Sequence, residues 1–147
     1  MAKVTQHDEY EEQDILNRVF DDSANTLAVA FVSSPSLYAP ITQVTNANIK
    51  AAAGNLLSVF ISNQNAALRY LQFFNSASAP SGGATPLISI PIPAGNSTFP
   101  GNVILDNSFF TQAGLTFSTG ISWGVSTTFA TFTAATATDH IIVATYL

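Results

Sequence analysis

From Leu27 to Leu147, apolar side chains recur at intervals of two, and no stretch sustains the 3.6-residue interval of a helix. A chain with that period must pair as strands. The cleanest case is "GLTFSTGISWGVS". Leu115, Phe117, Ile121, Trp123 and Val125 share one side, with Thr119 the exception. Thr116, Ser118, Gly120, Ser122, Gly124 and Ser126 share the other. This stretch reads as one long strand. Further strands are expected at 27–32 ("LAVAFV"), 55–62 ("NLLSVFIS"), 66–74, 87–92 ("LISIPI"), 127–133 ("TTFATFT") and 140–147 ("HIIVATYL"). "NQN" at 63–65 reads as a hairpin connection between the second and third of these. Prolines around 87–92 argue for an edge strand there. "SASAPSGGATP" and "PAGNSTFPGN" are loops by their Pro, Gly and Ser content. About eight strands at short, regular spacing predict an all-β fold, an antiparallel β-sandwich or jelly roll, preceded by an N-terminal arm.

Charge divides the chain in two. Seven of the nine carboxylates lie in the first 22 residues, against Lys3 and Arg18, so the whole formal charge of −5 resides there. The remainder carries only Lys50, Arg69, Asp106 and Asp139. Residues 1–26 therefore read as an acidic arm, and residues 27–147 as a β-domain. Within the arm, Ile15, Leu16, Val19 and Phe20 fall on one side of a short helix, with Asp8 and Glu11 as a weak capping pattern. The β-domain draws its polarity from Ser, Thr, Asn and Gln. It has no basic patch, which argues against nucleic-acid binding. No apolar run approaches the ~20 residues of a membrane span. The acidic start lacks the layout of a secretory signal, so synthesis in a cytoplasm without export by that route is expected. The acceptor-like "NST" at Asn96–Thr98 then has no special meaning. There is no cysteine, so neither disulfides nor thiolate zinc can brace the fold.

Chemistry-bearing patterns are sparse. "GISWG" at 120–124 matches the G-x-S-x-G nucleophile elbow, and Asp139 and His140 follow in triad order. That motif requires a strand–turn–helix, whereas the alternation runs through Ser122 as a strand. Asp139 and His140 are neighbours, so in a strand they point opposite ways. A glycosidase pair would have to come from Asp106 and Asp139. His7 and His140 are the only histidines, and no loop resembles an EF-hand or a phosphate-binding turn. Trp123 and Tyr70 offer rings for sugar stacking, but Trp123 shares its side with core residues. No enzyme activity, metal or cofactor is expected.

The stretch "NQNAALRYLQFFN" at 63–75 poses a different problem. Leu68, Tyr70, Gln72 and Phe74 face one side, and Ala67, Arg69, Leu71 and Phe73 the other. Neither is a water face. The last strand is similar, with Ile141, Val143 and Leu147 opposite Ile142, Ala144 and Tyr146. A two-layered domain has one inner layer, and large exposed apolar surfaces mark contacts. Other subunits are therefore expected to cover the second faces. Arg69 reads either as a snorkelling side chain or as an interface arginine. The interface candidates are Ile15, Leu16, Val19 and Phe20 on the arm, and Arg69, Tyr70 and Phe74 on the body.

"LLSVFISNQNAALRYLQFFNSASAP", "PLISIPIPAG" and "FSTGISWGVSTT" together resemble a recurrent β-domain of tailed-bacteriophage virion proteins. The upstream "DILNRVFDDSANTLAV" is similar to a segment that precedes such domains, so the resemblance covers about residues 14–133. These are loose strand patterns without a catalytic signature. Among such proteins, small stand-alone chains resemble capsid decoration (cement) proteins, often trimeric jelly rolls on the head surface. The resemblance implies a structural virion protein on the capsid, a homotrimer, with the major capsid protein or other virion subunits as partners. A tail or fibre adhesion module that binds a host glycan or receptor is the alternative. A small serine hydrolase using Ser122 is the remote one.

Overall fold

The computed structural model describes residues 34–106, 108–136 and 139–147. The expected arm, its helix and the strand at 27–32 lie outside them. Nine strands are described: β1 (Ser36–Tyr38), β2 (Asn46–Lys50), β3 (Gly54–Asn63), β4 (Arg69–Asn75), β5 (Ile88–Ile92), β6 (Gly101–Leu105), β7 (Leu115–Phe117), β8 (Ile121–Ser126) and β9 (His140–Tyr146). They form two antiparallel sheets, and no α-helix occurs among the described residues. The first sheet has the order β1-β9-β3-β6, with β7 also paired to β3; the second has the order β2-β8-β4-β5. The fold is all-β and sandwich-like, because one apolar cluster joins the facing sides of both sheets.

Alternation builds that cluster. Leu56, Val59 and Ile61 of β3, Leu105, Phe117, Ile142 and Ala144 come from the first sheet. Leu71 and Phe73 of β4, Ile90, Ile92, Ile121, Trp123 and Val125 come from the second. Rings meet across the layers, Phe73 with Phe117 at 6.4 Å and Tyr38 with Trp123 at 6.3 Å, both edge to face. Leu56 and Val59 face the same side despite their odd separation, because β3 has a register shift against β9 between Leu56 and Ser58. Strand β5 does lie at a sheet edge, where Pro91 costs the least.

Three expectations need correction. The stretch 115–126 is two strands in different sheets: β7 pairs with β3, and β8 lies between β2 and β4. Residues 118–120 carry the chain across. The Asn75 side chain holds this crossover, donating to Ser118 Oγ (2.8 Å) and accepting from the Thr119 amide (2.8 Å). Gly120 is needed there, because a Cβ would stand 2.7 Å from the Ser76 carbonyl oxygen.

The 63–75 stretch contains no hairpin. β3 and β4 belong to opposite sheets, and residues 64–68 arch between them. Asn63 and Asn65 build the arch. Asn63 Oδ1 accepts from the Asn65 amide, Asn65 Oδ1 from the Ala67 amide, and Asn63 Nδ2 donates to the Ala67 and Pro93 carbonyls.

Residues 127–133 form no strand. Hydroxyls of Ser126 and Thr128 bond to the local backbone at Thr131 and Thr133, which competes with ladder formation. The segment instead lies on the outer side of the second sheet. The Gln72 side-chain amide donates to the Thr128 and Phe129 carbonyls (both 2.9 Å). Phe132 stacks on Phe74 at 5.8 Å, and Phe129 on Tyr70 at 5.6 Å. Every residue of β8 is consequently buried. The second face of β4, for which other subunits were expected, is covered by the chain itself.

Candidate functional site

Two regions can carry function: one end of the β-domain, where polar side chains converge, and the bare outer face of the first sheet. At the end, antiparallel pairing brings His140 opposite Asn63, and Asn63 opposite Gly101. Arg69 opens β4 nearby. It is half-buried, with Nη1 donating to the Leu68 carbonyl (3.1 Å) and Nε enclosed without a partner among the described residues. Asp139 accepts from Asn65 Nδ2 at 2.6 Å, which ties it to the arch.

His140 is buried, and its Nε2 lies 2.9 Å from the Val44 carbonyl. A carbonyl only accepts, so this nitrogen carries the proton. Burial lowers the imidazole pKa, and Arg69 adds to that; the Val44 bond and Asp139 oppose it. The ring meets Trp123 edge to face at 6.0 Å. Beside them is an open cavity of about 480 Å³, lined by Pro40, Thr42, Val44, Trp123, His140 and Ile142 among others. Trp123 Nε1 is enclosed and has no acceptor among the described residues.

The hydrolytic constellations are not assembled. Ser122 is fully buried, and its Oγ points to the Phe74 carbonyl. It alternates with Trp123, which faces the core side where His140 lies. Ser122 and His140 are thus on opposite sides of the second sheet. Asp106 follows the far end of β6, whereas Asp139 adjoins the Gly101 end through the His140–Asn63–Gly101 register. Five residues of strand put them roughly 17 Å apart, beyond either glycosidase spacing. Asp106 Oδ1 accepts from the Ser108 hydroxyl and amide, which lowers its pKa in an ordinary Asx turn. No cluster of three or more metal-ligating side chains occurs among the described residues.

The outer face of the first sheet has no such cover among the described residues. Register places Ile104, Phe60 and Val143 in one row across β6, β3 and β9. Ile141 precedes Val143 by two residues on the same side of β9, and Leu37 of β1 lies opposite Thr145. Ile104 is 70% exposed, Leu37 65%, Ile141 42% and Phe60 37%. Between them stand Ser58, Ser62, Asn102 and Thr145, all uncharged. The only ionisable side chain in these strands apart from tyrosine is His140, which faces inward.

Of the site residues expected from sequence, Ile15, Leu16, Val19 and Phe20 lie outside the described residues. Arg69 belongs to the polar end. Tyr70 is half-buried beneath Phe129. Phe74 is only 4% exposed under Phe132, so it offers no outer surface. The structure therefore does not unite Arg69, Tyr70 and Phe74 in one patch. Sequence reasoning missed Phe60 and Ile104. The signal for Phe60 was present, an aromatic alternating with Ser58 and Ser62. The strand holding Ile104 was not expected: its first two residues closed the loop read at 93–102, and residues 103–105 were assigned to no element. The chain matches no family model, no curated protein and no solved structure.

Proposed function

We propose that this is a structural protein of a tailed-bacteriophage virion, of the capsid decoration (cement) type, which stabilises the head through protein–protein contacts. Strand order is the observation that carries this reading. With the short β7 set aside, the orders β1-β9-β3-β6 and β2-β8-β4-β5 leave eight strands. The first strand pairs with the last, the second with the next to last, and so on inward. This nesting supports reading the domain as a jelly roll of two Greek keys, an architecture common in viral capsid domains. It agrees with the virion-protein resemblance of residues 14–133. Fold alone does not assign function. The apolar, uncharged face of the first sheet adds a surface suited to protein contacts.

In this reading the partners are the major capsid protein or other virion subunits. The protein is made in the host cytoplasm and resides on the capsid surface. Jelly rolls also serve as lectins, which keeps the adhesion-module alternative in play. That alternative draws less support: Phe99, Phe109 and Phe129 are exposed in three separate loops and do not form one stacking platform. The test is quantitative mass spectrometry of purified virions, with heads and tails separated. Cofractionation with heads, at a copy number proportional to the capsid lattice, is expected. Tail-only recovery at low copy number would replace this reading with the adhesion module.

A further inference from the structure

We infer that the outer face of the first sheet binds the same face of a second copy of this chain. The inference rests on the reading that the protein works through protein contacts, and it names the surface and the occupant. The two outer faces differ in kind. Segment 127–134 covers that of the second sheet, through Gln72 and Phe132. On the first sheet Ile104, Phe60 and Val143 stand in one row, flanked by Ile141 and Leu37, with nothing over them among the described residues.

Charge selects the occupant. These strands present no charged side chain outward, so a strongly acidic or basic partner finds nothing to pair with and would lose hydration on docking. The other large exposed apolar side chains, Ile41, Leu68, Leu87, Phe99, Phe109 and Phe129, lie in loops or at strand borders. On the described surface, the matching apolar face is therefore this face on another copy. The 25 residues of β1, β9, β3 and β6, at about 3.3 by 4.8 Å each, give a flat footprint of roughly 400 Å². That is about half the ~800 Å² per partner of a standard interface, the size of a weak, reversible pair. The apolar row is central, and Ser, Thr and Asn surround it, as in an interface core and rim.

The edges of the two sheets also differ, although an open edge favours an added strand and not face-to-face docking. Both edges of the second sheet are blunted, β5 by Pro91 and β2 by Lys50 and its register shift. The first sheet's outer edges, β1 and β6, carry neither proline nor charge. A face that meets itself closes as a two-fold pair, so the smallest assembly on this inference is a dimer, in place of the homotrimer that the resemblance implies.

The test is sedimentation equilibrium of the purified full chain at micromolar concentration, with native mass spectrometry. Wild type should be a dimer. Phe60→Asp and Phe60→Lys should each be monomeric, with self-association weakened at least tenfold and an unchanged strand-type circular dichroism spectrum. Mixing the two variants should restore a dimer of one of each, because position 60 lies near the pair's centre. If Phe60→Asp fails to fold, Ile104→Asp, more exposed and on an edge strand, takes its place, with Ile104→Lys as its complement. A monomeric wild type, a trimer, or a dimer unaffected by these charges would overturn the inference. None of these readings involves virions, so failure of head binding and failure of pairing are separate results.

Discussion

At the scale of one residue, His140 is the group whose chemistry the fold alters most. Its ring is enclosed between Trp123 and the Val44 carbonyl, and burial lowers its pKa below the usual 6.5. In the unfolded chain the imidazole takes up its proton first as pH falls, so over that interval the unfolded state holds more protons. Stability is therefore full above about pH 6.5 and declines as pH drops toward the folded-state pKa, by at most about 1.4 kcal/mol per pH unit. Urea midpoints should fall between about pH 7.5 and about pH 5.5, a window in which few groups other than histidines titrate. His140→Gln keeps an N–H within reach of Val44 and should flatten that dependence. An equal slope in His140→Gln would assign the pH response elsewhere.

Gly124 poses a steric question at the same scale. It pairs with Gln72 on the outer face of the second sheet, and a Cβ there would overlap the ring of Phe132. Gly124→Ala should destabilise by about 1–3 kcal/mol, the usual cost of overpacking. In a Phe132→Ala background the clash is gone, and alanine should then match or exceed glycine within the strand by up to ~1 kcal/mol. A double-mutant cycle by chemical denaturation reads this coupling. Additive effects would mean that Phe132 does not pack on Gly124 in solution.

At the scale of elements, segment 127–134 is held by the Gln72 side chain, by the rings of Phe129 and Phe132, and by backbone bonds between Phe132 and residues Gly83 and Ala84. Gln72 is fully buried, and its amide bonds the Thr128 and Phe129 carbonyls. Gln72→Leu leaves those carbonyls without their donor, at a cost of about 1–3 kcal/mol for each one that stays buried. We expect a lower unfolding midpoint and faster protease cleavage within 127–134. A Gln72→Leu variant as resistant as wild type would mean that the Phe129 and Phe132 rings and the backbone bonds of Phe132 to Gly83 and Ala84 suffice to anchor the segment.

The same segment shows where sequence legibility ended. Strands β5, β8 and β9 were readable because each places three apolar residues at period two toward the core, and β3 and β4 because their apolar residues are dense on both sides. Strands β1 and β2 were not, because "SLY" and "NANIK" are too short or too polar to alternate. The break between β7 and β8 was hidden by parity: Phe117 and Ile121 are four residues apart, so alternation continues through the crossover as if no turn existed. "TTFATFT" has strand composition, yet its hydroxyls satisfy the backbone locally. Its Phe132 serves as a lid over Phe74. Sequence pattern records which residues are apolar; it does not record whether their cover comes from the same chain. Two-faced strands alone were thus a weak guide to interface residues, as Phe74 illustrates.

At the scale of the whole molecule, the chain separates its charge from its apolar surface. All the net charge lies in the first 22 residues, and the outer face of the first sheet has none. The two kinds of contact proposed for the protein should therefore respond differently to salt. An acidic arm steered to a basic patch on a capsid loses attraction as ions screen it, since the Debye length shrinks from about 14 Å near 0.05 M to about 4 Å near 0.5 M. Pairing through Phe60, Ile104 and Val143 involves no ion pair and should hold or strengthen over that range. Wild-type protein pelleted with undecorated heads at these two salt levels should lose binding severalfold at the higher one. Sedimentation equilibrium under the same conditions should show no loss of self-association. Deleting residues 1–22 should remove the salt dependence and reduce head binding by at least tenfold, about 1.4 kcal/mol, without affecting pairing. Replacing Leu16 and Phe20 with Ser should reproduce most of that loss while keeping the salt dependence, because the carboxylates remain. Head binding that is indifferent to salt and to this deletion would place capsid contact on the β-domain. Arg69 and the polar end around Asn65 and Asp139 would then be the surface to alter next.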